Sequence, residues 1–214
     1  MTPVSNGPDN SIEKKSCLFF LFFVVFFLVF FAFTIHFFFF FFQKRTVMPL
    51  IVRFSQGKDN DVFRDAAIIR DSIFIQERGV PASLEHDGHD AYAIHLVLYE
   101  EDASDNQKQR GGEKKSLPIA AARLRLVRHC GVHAYDTPVV KVERVCVRRP
   151  HRGKGYGVFL MKEVEKYARE KMGISTLVLH AKLPVKKFYK RLGFHETSDE
   201  FMESNISHIT MSKM

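Results

Sequence analysis

No segment narrows the choice of fold as much as Arg152-Gly153-Lys154-Gly155-Tyr156-Gly157. Before it lies Val139–Val147 (VVKVERVCV), which reads as a strand. After it lies Val158–Met172, where Phe159, Leu160, Val164, Tyr167 and Ala168 fall on one helical side. A strand, a glycine turn and a helix in succession require a sheet layered with helices, which is an α/β (α+β) arrangement. Unpaired amides at a helix N-terminus and the helix dipole attract phosphate. Gly155 and Gly157 let the backbone approach a pyrophosphate, and Arg152 and Lys154 add positive charge. The run is neither G-x-x-x-x-G-K-[ST] nor G-x-G-x-x-G, so Walker and Rossmann turns are excluded. A purely structural turn also needs glycine. The strand before, the helix after and the two cations within favour anion binding.

The remaining elements alternate in type. Pro49–Phe54, Ala91–Tyr99, Leu117–Val127, Thr176–His180 and Ile206–Met211 read as strands. In Leu117–Val127, Leu124 and Leu126 alternate with Arg123 and Arg125, the pattern of a half-buried strand. Asp59–Phe74 has helical spacing at Val62, Phe63, Ala66, Ile69 and Ile73, and Val185–Leu192 reads as a short helix. Gln76–Asp90 is a polar loop, and the charged stretch Glu100–Ser116 is a solvated hairpin tip. No internal repeat is visible.

The chain begins differently. Residues 17–42 carry no charge and hold most of the 22 phenylalanines. Roughly 20 apolar residues span a bilayer as a helix. Lys14 and Lys15 precede the run and Lys44 and Arg45 follow it, so flanking charge gives no orientation. Two readings stand for residues 1–47. One is a single-pass membrane anchor, with the domain that follows it in the cytosol. The other is a pyrimidine-rich untranslated stretch read in frame, with translation starting at Met48 and a soluble cytoplasmic product. Under either, the chemistry resides in 48–214. Three cysteines without a C-x-x-C pair argue against a disulfide framework, and Cys146 reads as a small buried hydrophobe. The net charge of +8 suits nucleic acid, an anionic membrane or a polyanionic cofactor. No helix-turn-helix, zinc-finger or RNP signature is present, so nucleic acid is not expected. The loop Glu85-His86-Asp87-Gly88-His89-Asp90 is rich in metal-ligand types, but no second ligand pair at finger spacing accompanies it, and no metal is expected.

The turn together with Phe188-Tyr189-Lys190-Arg191-Leu192-Gly193-Phe194 resembles the paired motifs of the GNAT N-acetyltransferases. Arg70–Arg78, Glu85, Asp87, Asp90 and the ending Glu203–Met211 resemble its ElaA-like branch. The resemblance spans Met48–Met214. It implies a mixed central sheet flanked by helices, with splayed strands forming an acetyl-CoA cleft, and transfer of acetyl to a primary amine. It implies that Arg152, Gly153, Lys154, Gly155, Tyr156 and Gly157 hold the CoA pyrophosphate. It also implies that the edge of Val145, Cys146 and Val147 pairs with pantetheine, one of its N–H groups polarising the thioester carbonyl.

Tyr189 is then the acid beside the departing sulfur. Glu143, in phase with Val145 and Val147, is the expected base, with Glu77 and His208 as rivals. The acceptor is a small amine or a protein Lys or N-terminus, and Glu77, Glu85, Asp87 and Asp90 suit a cationic one. A homodimer is left open. A catalytically silent acyl-CoA-binding regulatory module is the alternative.

Overall fold

The computed structural model describes residues 49–101, 116–130 and 133–214. The chain divides into Met1–Val47 and Met48–Met214, and all described residues belong to the second. The hydrophobic run 17–42 and most of the expected hairpin tip lie outside them. Among the described residues, no helix is long and apolar enough to cross a membrane.

Among the described residues, seven strands form one mixed sheet in the order β1-β2-β3-β4-β5-β7-β6. They are β1 (Leu50–Gln56), β2 (Ile94–Glu101), β3 (Ser116–Cys130), β4 (His133–Val147), β5 (Leu177–Lys182), β6 (His195–Glu203) and β7 (Ile206–Lys213). Neighbours pair antiparallel except β4 and β5, which run parallel. The parallel step is bridged by α3 (Tyr156–Lys171), as a crossover requires.

Helices cover both faces. On one face α1 (Asp61–Arg70) packs Ala66 and Ile69 against Val97, Tyr99, Ala121 and Cys146. Its start is fixed by Asn60, whose side chain accepts from the Phe63 amide at 2.8 Å. The helix runs on through a π-helical segment, Asp71–Glu77, so it outlasts the Phe74 end expected from spacing. The polar loop that follows holds two short turns, α2 (Ala82–Glu85) and a 3₁₀ turn at Gly88–Ala91. On the other face α3 buries Leu160, Met161, Val164 and Ala168 against Leu96, Leu98, Ala120 and Val142. The short α4 (Lys186–Arg191) adds Tyr189 to that core. Tyr167 stacks on Phe54 of β1 with ring centroids 4.3 Å apart.

Two sequence expectations change. β6 is not legible as a strand, because HETSDEFME has no apolar alternation. It is an outer strand, mostly exposed, with an irregular register between Glu196 and Glu200. The Leu/Arg alternation of β3 also breaks down: Leu124 is buried as expected, but Arg123 beside it is 1% exposed, whereas Leu126 is 58% exposed. Helices on both faces bury residues of either phase there, and β3 outruns that cover at its far end.

Candidate functional site

The site begins where β4 leaves β5. Only Val140 and Lys141 of β4 pair with β5, opposite Leu177 and Val178. Beyond Lys141 the strands part, and the edge of β4 that faced β5 runs on to Val147 with no strand beside it among the described residues. On its other edge β4 stays paired with β3, but with a bulge. Cys146 faces Ala121 and Glu143 faces Arg123, so Arg144 and Val145 together stand opposite Ala122 alone. Arg144 takes φ 53°, a left-handed value that costs a non-glycine residue about 1–2 kcal/mol. Its side chain holds the kink in place. It reaches Glu85 Oε2 at 2.8 Å and donates to the Leu84 carbonyl at 2.7 Å and to Asp87 Oδ2 at 3.2 Å.

The bulge overturns the phase read from the sequence. Val142, Val145 and Val147 pack toward α3 and α4. Cys146 packs toward α1, and Glu143 joins Arg123 on that side. Glu143 is therefore out of phase with Val145 and Val147.

The parted strands enclose a cleft of ≈1050 Å³, lined among others by Val145, Cys146, Val147, Arg152, Gly153, Gly155, Tyr156, Gly157, Tyr189 and Glu143. Of the residues expected to meet a ligand, Lys154, Glu77 and Asp90 are not part of this lining; the Lys154 side chain is exposed. At one end α3 starts without a side-chain cap: its N-cap is Gly155 at φ 87°. Such a start leaves amide donors for a ligand to satisfy. Tyr156 is tied to β2 through its hydroxyl, which donates to Glu100 Oε1 at 2.6 Å. A Cβ on Gly157 would meet the Phe188 ring at 3.4 Å, so this turn lies close against α4. Arg152 does not present its charge freely. Its guanidinium donates both Nη atoms to Glu77 at 2.6 and 2.8 Å, and its Nε to the Val147 carbonyl at 2.9 Å. It clips the end of the first long helix to the end of β4, and Glu77 is thereby occupied.

Tyr189 is 8% exposed, edge-on to Phe188 and Phe194 with centroids 5.0 and 5.8 Å away. Its hydroxyl has no hydrogen-bond partner among the described residues. Burial, with the nearby Cys146 thiol, pushes the phenol up to about 12, so it stays protonated at working pH. The Cys146 thiol is itself pushed up to about 12 by burial, as a packing residue should be.

The α1 side of the cleft is a charged layer that spacing alone did not reveal. Arg70 donates to both oxygens of Asp90 at 2.9 and 3.1 Å, and its Nε to Glu85. Arg123 donates to Asp87 at 2.6 and 2.8 Å, to Asp90 at 2.8 Å and to Glu143 at 3.1 Å. Arg125 holds Glu143 at 2.7 and 2.8 Å. Burial opposes the charge on Glu143, but the Arg125 hydrogen bonds and the charges of Arg123, Arg125 and Lys141 hold it down to about 2. A carboxylate so weakly basic and so fully engaged is a poor proton acceptor, and the geometry gives Glu143 a structural task. Glu85, Asp87 and Asp90 are likewise taken by arginines, so they offer no open anionic surface to a cationic acceptor. Nor do they gather around a metal; among the described residues no metal-holding group of His, Cys, Asp or Glu occurs.

Across the cleft, β5 and β7 supply two histidines. His180 Nδ1 lies 3.3 Å from Glu203 Oε2, and its Nε2 lies 3.2 Å from Cys130 Sγ. Burial disfavours its charge, yet the bonds to Cys130 and Glu203 prevail and raise it to about 9. His208 places Nδ1 2.8 Å from the Ile206 carbonyl and Nε2 3.9 Å from Glu203 Oε2. A carbonyl only accepts, so Nδ1 carries the proton and Nε2 keeps a lone pair in the neutral ring. Glu203 stands between two imidazoles at the end of β6. Only His208 of this group was singled out from sequence. His180 lay inside an unremarkable strand, and β6 was not seen.

Two independent likenesses bear on this geometry. Residues 92–214 match the family model described as the acetyltransferase (GNAT) domain. The chain is 32% identical over 157 residues to the uncharacterized N-acetyltransferase YjcF of Bacillus subtilis, covering 73% of this chain and 95% of that protein. The chain belongs to the GNAT acetyltransferase family, whose members are transferases. Its fold is shared by an acyl-CoA N-acyltransferase from Pseudomonas aeruginosa (24% identity, TM-score 0.59, 78% of this chain and 100% of that one). It is shared equally by Escherichia coli ElaA (19% identity, TM-score 0.59, 78% and 100%).

Proposed function

We propose that the chain is an acetyl-CoA-dependent N-acetyltransferase acting on a primary amine, with Tyr189 beside the leaving sulfur and His208 as the base. The observation that carries this reading is the parting of β4 from β5 after Lys141, which leaves a strand edge leading straight into an uncapped helix start. Amides on such an edge suit a pantetheine arm laid alongside like an added strand. The helix start suits a pyrophosphate. Bound there, acetyl-CoA supplies an acetyl group on a thiol leaving group.

The residues divide the proton work. An alkyl amine has a pKa near ~10.4, so it arrives mostly protonated and must lose its proton to react. His208 Nε2 takes that proton, and the Glu203 carboxylate stabilises the imidazolium. Tyr189 acts at the sulfur. A thiol has a pKa of ~8.5, well below the phenol at about 12. Full transfer from Tyr189 to the thiolate is therefore uphill. The phenol stabilises the thiolate by donating a hydrogen bond, and the thiolate takes the second proton, which the nitrogen loses as the amide forms. In Tyr189→Phe, kcat is expected to fall about 10- to 100-fold, the worth of one charge-assisted hydrogen bond. Acetyl-CoA affinity should hold. Unchanged kcat with weakened acetyl-CoA binding would make the hydroxyl a binding group only.

Calorimetric titration of the full chain with acetyl-CoA tests the site, with Gly155→Glu alongside and melting curves as a check on folding. The glutamate sets a negative charge at the helix start and strains a left-handed position, so affinity should drop roughly 100-fold or more. Equal affinity in both proteins would remove the turn from the site. Tight binding with no acetylation across an amine panel would favour the silent acyl-CoA-binding module instead.

A further inference from the structure

Lys182 ends β5 and lines the cleft, half-buried. Its ammonium has no hydrogen bond or ion pair among the described residues. Its charged neighbours are mostly alike in sign. Burial lowers its pKa, as do Arg78 and Arg144, with Glu203 alone opposing. Arg144 is committed to Glu85 and Asp87, and Glu203 is shared between His180 and His208. Arg78 lies over the Phe74 ring at 5.6 Å and also lines the cleft. Both cations thus face the cavity, and neither has an ion pair among the described residues. A half-buried ammonium left in this condition is costly unless a ligand completes it.

Its position says which ligand. Lys182 stands directly opposite His208 in the β5–β7 ladder, so both side chains rise from one sheet face, their Cβ atoms about 4.5–5.5 Å apart. The opposite face of β5 carries Leu179 and Ala181 into the core beneath α3 and α4, the side on which Gly157 meets Phe188. The lysine therefore belongs with the proton-accepting histidine rather than with the phosphate turn.

We propose that Lys182, aided by Arg78, binds an anionic group of the acceptor, so that the preferred acceptor is an amino acid: an amine with a carboxylate a few bonds from its nitrogen. The inference rests on the transferase reading and names the substrate class of that same site. The amine nitrogen forms a bond to the acetyl carbon as the carbon–sulfur bond breaks. One amine proton goes to His208 before attack, the second leaves the nitrogen as the amide forms and goes to the thiolate, and the carboxylate stays ionised against Lys182 throughout.

The test is initial rates of the full chain on matched pairs, each an amino acid and its decarboxylated amine: lysine with cadaverine, phenylalanine with phenethylamine. In the unsubstituted protein the carboxylated member should be preferred in kcat/KM by about 10- to 100-fold, the worth of a charged hydrogen bond. Lys182→Met should collapse that ratio toward one, with the loss falling on acceptor KM. Lys182→Arg should retain most of it. Lys182→Met is expected to fold, since it removes a charge crowded by like charges. Equal rates within each pair, with acetyl-CoA bound normally, would overturn the amino-acid site and leave the transferase standing. An acetyl-CoA KM raised by Lys182→Met, with the ratio unchanged, would overturn it in favour of a contact to a CoA phosphate. Neither acetyl-CoA binding nor turnover of any amine would overturn the transferase reading and this one with it.

Discussion

Arg123→Met should remove about 3–5 kcal/mol of unfolding free energy, the range for breaking a buried ion pair from one side. A domain of this size has roughly 5–15 kcal/mol in total, so the urea midpoint should fall steeply. The guanidinium is 1% exposed and serves Asp87, Asp90 and Glu143 together. Methionine fills much of the same volume but leaves those carboxylates short of a counter-charge. Arg123→Lys keeps the charge without the fork and should fall between.

The pH dependence separates charge from packing. Asp87 and Glu143 are both held below their ordinary values. Burial opposes this, and the Arg123 bonds to Asp87 and the Arg125 bonds to Glu143 lead the causes that prevail. Groups with depressed pKa values contribute stability above their unfolded values near ~4, and that contribution is lost as pH falls. For Glu143 the loss is complete only below about 2. In the variant the same carboxylates gain relief when protonated, so the gap between the two proteins should narrow from pH 7 to pH 3. A gap independent of pH would mean that lost packing, not stranded charge, is the cause.

The turn and Tyr189 were legible in the sequence because their signals are local. Glycines and cations crowd into six residues, and FYKRLGF places the tyrosine in a compact run. What remained hidden depends on partners far along the chain. VVKVERVCV alternates without a flaw, so nothing in it announces the bulge at Arg144. That residue is held in its left-handed turn by groups near position 85. Without the bulge Glu143 reads as a companion of Val145; with it, Glu143 turns to the arginines of β3. The acidic loop before β2 similarly resembles an open binding surface until Arg70 and Arg123 are placed inside it. Charge was readable, but its neutralisation was not.

With those carboxylates displaced, the proposed base is His208, and its replacement should have the largest kinetic effect. A positioned general base contributes about 100- to 10,000-fold, so kcat for His208→Gln should fall by a factor in that range near neutral pH. Glutamine retains a donor for the Ile206 carbonyl but has no basic nitrogen. The acid limb of the kcat–pH profile should therefore flatten in the variant, a change that a merely structural histidine would not cause. Glu203→Gln should lose less, because its carboxylate lies 3.9 Å from Nε2 and supports the imidazolium without touching the amine in this scheme. Were Glu203→Gln to abolish the limb while His208→Gln preserved it, the two roles would be exchanged. In the double variant the losses should fall short of additive, since a carboxylate that works through the imidazolium has nothing to stabilise once the imidazole is gone.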